Sequence, residues 1–118
     1  MSLRDRIQTD VTAAMRSGDS LRRDVLRMAQ NAVYAVEKRE RREPTDDDVA
    51  AILTREVKTR RESIDAFRTG GREDLAVKEE AEIAILAEAR RREHYEKPSV
   101  KRKRKEAKRK KNARTAVG

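Results

Sequence analysis

Charge is divided along this chain in a way that fixes where a core can form. Residues 90–118 hold fourteen Lys or Arg against Glu93, Glu96 and Glu106, a balance of +11, whereas residues 1–89 hold seventeen against nineteen Asp or Glu, a balance of −2. The net charge of +9 therefore comes wholly from the last quarter. A stretch such as "KRKRKEAKRKK", residues 101–111, has no apolar stripe to pack, and its own repulsion is expected to leave it poorly ordered without counter-charge. Folding must be completed by the residues before it. Such a block suits a polyanionic partner, nucleic acid first and an anionic membrane surface second. Without an apolar face or a lipidation signal, membrane attraction would be weak, and no membrane partner is expected.

The remaining residues set the class of core. At 118 residues there is room for one small domain and a tail. Hydrophobic residues make up 36%, with two Tyr, one Phe and no Trp, so the core must be built from Leu, Ile, Val, Ala and Met, which favours helices over a sandwich of sheets. The absence of cysteine excludes disulfides, thiolate metal sites and thiol catalysis. No segment reads as a signal peptide or a membrane span, and a cytoplasmic location is expected.

Helical spacing then divides the first part of the chain. Leu3, Ile7, Val11 and Met15, with Ala14, share one face; Ser2 is a candidate N-cap, and Ser17-Gly18 ends this first helix. Asp19 or Ser20 can cap a second helix, whose stripe reads Leu21, Val25, Met28, Ala32 and Val36 and which fades near Arg41. In "REPTDDDVAAIL", Pro44 resists helix continuation, Thr45 can cap, and Asp46, Asp47 and Asp48 put negative charge where the helix dipole favours it. Capping explains this triplet better than a metal cluster does, because consecutive helical residues point in different directions. The third helix should bury Val49, Ile52, Leu53, Val57, Ile64 and Phe67 and stop at Gly70-Gly71, with glycine in the left-handed cap. That pair lacks the longer pattern of a phosphate loop. A fourth helix starts near Arg72, with Leu75, Ile83 and Leu86 facing inward. The expected fold is all-α: a small bundle of three to four amphipathic helices over residues 1–86, followed by an extended, highly basic helical tail over 87–118.

Beyond Leu86 the helical pattern continues while the apolar stripe ends. Pro98 should break or kink the helix, and Ser99 can cap a last, wholly basic one. The single histidine, His94, lies among arginines with no nucleophile near it in sequence, and the carboxylates alternate with Lys and Arg as solvated ion pairs do. No catalytic residue, metal ligand, cofactor or small-molecule substrate is expected, and Met15 and Met28 are expected in the core.

Two families are resembled. "SLRDRIQTD", "LRRDVLRMAQNA", "REPTDDDVAAILTREVKTRRESIDAF" and "GREDLAVKEEAEIAIL", together residues 1 to about 86, resemble the GatB/YqeY family, helical proteins similar to the tRNA-binding tail of a glutamine-dependent amidotransferase subunit. From Leu86, "LAEARRREHYEKPSVKRKRKEAKRKK" resembles the C-terminal half of the bacterial small-subunit ribosomal protein twenty-one, with "RRREHYEKPS" and "KRKRK" as the distinctive words.

The ribosomal resemblance implies a non-catalytic protein of the small subunit, its tail lying along ribosomal RNA and acting in translation. Arg90, Arg91, Arg92, Lys97, Lys101, Arg102, Lys103, Arg104, Lys105, Lys108, Arg109, Lys110 and Lys111 would neutralise phosphates, and Tyr95 would stack on a base or pack on a sugar. The amidotransferase resemblance implies the alternative, a tRNA-binding accessory bundle with Arg22, Arg23, Arg27, Arg60 and Arg61 as contacts. For those five, ion pairs on exposed helix faces are the simpler expectation.

Overall fold

The computed structural model of the protein describes the backbone of residues 2–96 and the side chains of residues 2–91. Within them lie four helices and no strand: α1 (Leu3–Ser17), α2 (Ser20–Glu40), α3 (Asp46–Thr69) and α4 (Glu73–Glu96). The expected all-α bundle is thus observed, with four helices. The helix expected after Ser99 lies outside the described residues.

Each boundary has a local cause. At the start of α1 the Asp5 N–H donates to Ser2 Oγ, 3.1 Å. Gly18, at φ 76°, closes the helix in the left-handed region that glycine enters without a Cβ penalty. Of the two candidate caps for α2, Asp19 is the one used, accepting from the Arg22 N–H at 3.2 Å. The end of α2 departs from the usual chemistry: Arg41 takes the left-handed position at φ 53°. At α3 the capping box is complete, the Asp48 N–H donating to Thr45 Oγ1 (3.2 Å) and the Thr45 N–H to Asp48 Oδ2 (2.8 Å). Asp46 is also engaged, accepting from the otherwise orphaned Leu3 N–H at 2.9 Å and so tying the start of α1 to the start of α3. At the other end of α3, Gly70 sits at φ −83° and it is Gly71, at φ 72°, that makes the left-handed turn. The helix ends at Thr69, directly before the glycine pair, as expected.

The most extensive helix contact is between α3 and α4, with α1 against α2 next. At 1.5 Å per residue, the 24 residues of α4 span about 36 Å. The core unites Leu3, Ile7 and Val11 of α1, Val25, Leu26, Ala29 and Val33 of α2, Val49, Ile52 and Leu53 of α3, and Ile85, Leu86 and Ala89 of α4. Leu26, Leu53 and Leu86 are fully enclosed, and each contributes about 1.5–3 kcal/mol by leaving water.

Three expectations about the core are corrected. Met15 and Met28 are exposed, at 53% and 52%, where burial was expected. On α2 the buried residues Val25, Leu26, Ala29 and Val33 cluster around one direction, and at about 100° per residue Met28 points about 115° away from it. Steps of three and four residues through Leu21, Met28 and Val36 had followed the flank of the true face. The apolar stripe also extends a turn past Leu86, because Ala89 is buried, its small side chain letting α4 approach its neighbours. Finally, Arg60 is not on an exposed face: it is 5% exposed, inside the α3–α4 contact.

Candidate nucleic-acid interface

Arg60 organises the charge between α3 and α4. Its Nη1 donates to Glu56 Oε2 at 2.8 Å and to the Glu56 carbonyl at 3.2 Å, while Glu82 Oε1 lies 3.7 Å from Nη2 and Glu79 Oε2 4.0 Å from Nε. Glu82 is buried with it. One guanidinium thus faces three carboxylates, and its planar fork is the group able to address several at once. The signal for this was present in the spacing Leu53, Val57, Arg60, Ile64, Phe67, which sets Arg60 on the apolar stripe of α3.

Most other arginines of the bundle are also neutralised. Arg4 pairs with Glu37, Arg23 with Asp24, Arg42 with Asp48, Arg68 with Glu73 and Glu80, and Arg72 with Asp74. Arg22 reaches across to Glu88 on α4 at 3.0 Å and back to Asp19 at 3.3 Å. These contacts register as shifted proton affinities. The hydrogen bond from Arg42, aided by the Thr45 N–H, holds the Asp48 carboxyl well below the usual aspartate range. The bond from Arg4 lowers Glu37 in the same way, and the bond from Arg23 lowers Asp24. Arg22 and Arg23, two of the five arginines considered as tRNA contacts, are accordingly occupied by carboxylates; Arg27 has Met15 Sδ at 3.4 Å.

One groove is different. Between α3 and the last turns of α4 a cavity of about 490 Å³ is bordered by Lys58, Arg61, Arg90 and Arg91, over a floor that includes Val57 and Ala87. All four cations are exposed, and none has a carboxylate within 4 Å among the described residues. Of the acids near them in sequence, Glu56 pairs with Arg60 and Glu88 with Arg22, while Glu62 and Asp65 lie four residues beyond Lys58 and Arg61, respectively, with no ion pair to either. Capture of an anion is the chemistry this arrangement suits.

Of the residues expected to touch RNA, Arg90 and Arg91 are therefore on the bundle, at the groove's edge. Arg92 and Tyr95 fall on the helical backbone of α4, with only that backbone described, and the same is true of His94. Lys97, Lys101, Arg102, Lys103, Arg104, Lys105, Lys108, Arg109, Lys110 and Lys111 lie outside the described residues. Lys58 was not singled out from the sequence, since one lysine on a charged helix carries no mark of its neighbours across the fold. Among the described residues no group of acidic and histidine side chains is disposed to hold a metal ion, and no helix is long and apolar enough to cross a membrane.

Comparison with known proteins bears on both halves. The family model for ribosomal protein S21 matches residues 79–114, so the C-terminal part of the chain is similar to that family. A relative, altered inheritance of mitochondria protein 41, mitochondrial, from Pyrenophora tritici-repentis (strain Pt-1C-BFP), is 31% identical over 81 residues. The match takes in 69% of this chain and 45% of the relative, so the chain spans less than half of that protein's length. The family model for Yqey-like proteins matches residues 4–93, which takes in nearly all of the packed bundle and overlaps the ribosomal match on α4. With the greater part of its length so matched, the chain belongs to the family of Yqey-like proteins.

Proposed function

We propose that the chain is a non-catalytic, RNA-binding protein of the small ribosomal subunit that acts in translation through its basic C-terminal segment. The observation that carries this reading is the coincidence of the ribosomal protein S21 match, residues 79–114, with the only part of the chain holding a large charge excess. Arg90, Arg91, Arg92, Lys97, Lys101–Lys105 and Lys108–Lys111 neutralise phosphates in this reading, Tyr95 meets a base or sugar, and RNA shape supplies most of the selectivity. Its compartment is that of the ribosomes it joins.

Neutralising six to ten phosphates makes binding fall roughly a thousandfold or more between 50 and 200 mM salt. Sedimentation of lysate through sucrose gradients tests this. The full chain should travel with the small subunit at low salt and leave it at high salt, and a chain ending at Ala87 should stay at the top of the gradient. Co-migration that is indifferent to salt, or that survives loss of the tail, refutes it.

The Yqey-like match over the bundle favours one other reading, a tRNA-binding accessory role. Retained tRNA binding by a chain ending at Ala87, which lacks Arg90, Arg91, Arg92 and Tyr95, would put that reading first.

A further inference from the structure

We infer that the groove between α3 and α4 is a second phosphate-binding surface, carried by the bundle on the helix that precedes the tail in sequence, so that both halves of the chain grip one RNA strand or fold. This rests on the ribosomal RNA-binding reading above and adds to it a surface on α3, outside the ribosomal match at residues 79–114.

Three observations converge on it. Arg16, Arg27, Arg41 and Arg55 line no part of this groove, and Arg4, Arg22, Arg23, Arg42, Arg60, Arg68 and Arg72 have carboxylates within 4 Å. Lys58, Arg61, Arg90 and Arg91 do not, yet they share the border of one concavity. Four like charges around a groove repel one another, and an anion in the groove removes that cost. The floor provided by Val57 and Ala87 is apolar, so the cations at its edge meet a phosphate with less competition from water than on a flat face. Lastly, one wall of the groove is the helix that runs on through Arg92 to Glu96 toward the basic segment. The bundle's overall balance of −2 hides this surface, because several of its acids, Glu56 and Glu88 among them, pair with other arginines. An acidic protein segment would meet the same charge, but the tail that follows in sequence, matched to a ribosomal family, favours RNA.

The test uses the full chain and a small-subunit ribosomal RNA transcript, with affinity measured from 50 to 300 mM KCl. Lys58→Gln with Arg61→Gln removes two groove charges that are not part of the tail. Arg16→Gln with Lys78→Gln removes the same charge from exposed positions that do not border the groove. A third variant changes Lys101, Arg102, Lys103, Arg104 and Lys105 to Gln. At about 0.7 per phosphate, the groove variant should lower the slope of log affinity against log salt by about 1.4, and bind about 25-fold more weakly near 100 mM, with the control close to wild type. A slope equal to the control's overturns the groove. If the tail variant loses affinity in that same experiment, the tail reading still stands; if neither variant moves the affinity, both fall.

Discussion

Replacing Arg60 with Met should destabilise the bundle far more than loss of any surface ion pair. The Arg60 side chain is 7% exposed, and Glu82, its partner across the helix contact, is 11% exposed, whereas Glu56 and Glu79 keep 26% and 23%. Removing one member of a fully buried ion pair costs about 3–5 kcal/mol, because the other charge is left without compensation. Here the two more exposed glutamates can be rehydrated, and Met restores the packing of the arginine stem, so the loss should be about 2–3 kcal/mol. For a bundle of this size that lowers the melting temperature by roughly 10–20 °C. Thermal and urea unfolding followed by helical circular dichroism measure it directly. Arg60→Met combined with Glu82→Leu should recover much of the loss, since an apolar pair of similar volume is tolerated where a lone charge is not. A loss below about 1 kcal/mol, the range of exposed pairs, would refute the view that Arg60 anchors α4 to α3.

Thr45→Ala opens the capping box of α3 and should cost about 1 kcal/mol, read as a lower urea midpoint with an unchanged slope. Acid should weaken the fold through Asp48, Asp24 and Glu37, whose arginine partners lower their proton affinity in the native state. The unfolded chain binds protons first, so this stabilisation is intact above the ordinary carboxylate range near 3.8–4.5 and is lost as pH falls through the depressed native values. Urea midpoints that were equal at pH 7 and pH 3 would contradict the pairing. A chain ending at Ala87 should melt at a lower temperature than one ending at Glu96, because it lacks the buried Ala89 and the helical turns that hold it in place.

Helix boundaries were legible because their signals are local. Ser2, Thr45, Gly18 and the Gly70-Gly71 pair act on backbone groups within four residues, and each does what its chemistry implies. Facing directions were harder to read. On α2 either of two neighbouring stripes could have been the core, and only packing against α1 and α4 selects Val25, Leu26, Ala29 and Val33 over Met28. Arg60 was hidden for a related reason. Its stripe position was visible, but acids from α4 are needed to make burial of a guanidinium tolerable, and those lie 19 and 22 residues away in sequence. The basic groove depends on the same distant pairing: Lys58 and Arg61 become neighbours of Arg90 and Arg91 only because α3 and α4 fold back on each other.

The unbroken run of α4 from the core residues Ile85, Leu86 and Ala89 to Glu96 has a mechanical meaning. A stiff helix passes on rotation as well as position, so the bearing of Arg90, Arg91 and Arg92 around its axis is set by how Leu86 is seated among the other helices. Inserting one residue after Ala89 would turn everything beyond it by about 100° and advance it by about 1.5 Å, whereas inserting seven would nearly restore the bearing at about 10.5 Å of added reach. The last turns of α4 are thus keyed to the bundle like a shaft to its gear rather than tied by a cord, and they tolerate changes in length only in steps of whole turns.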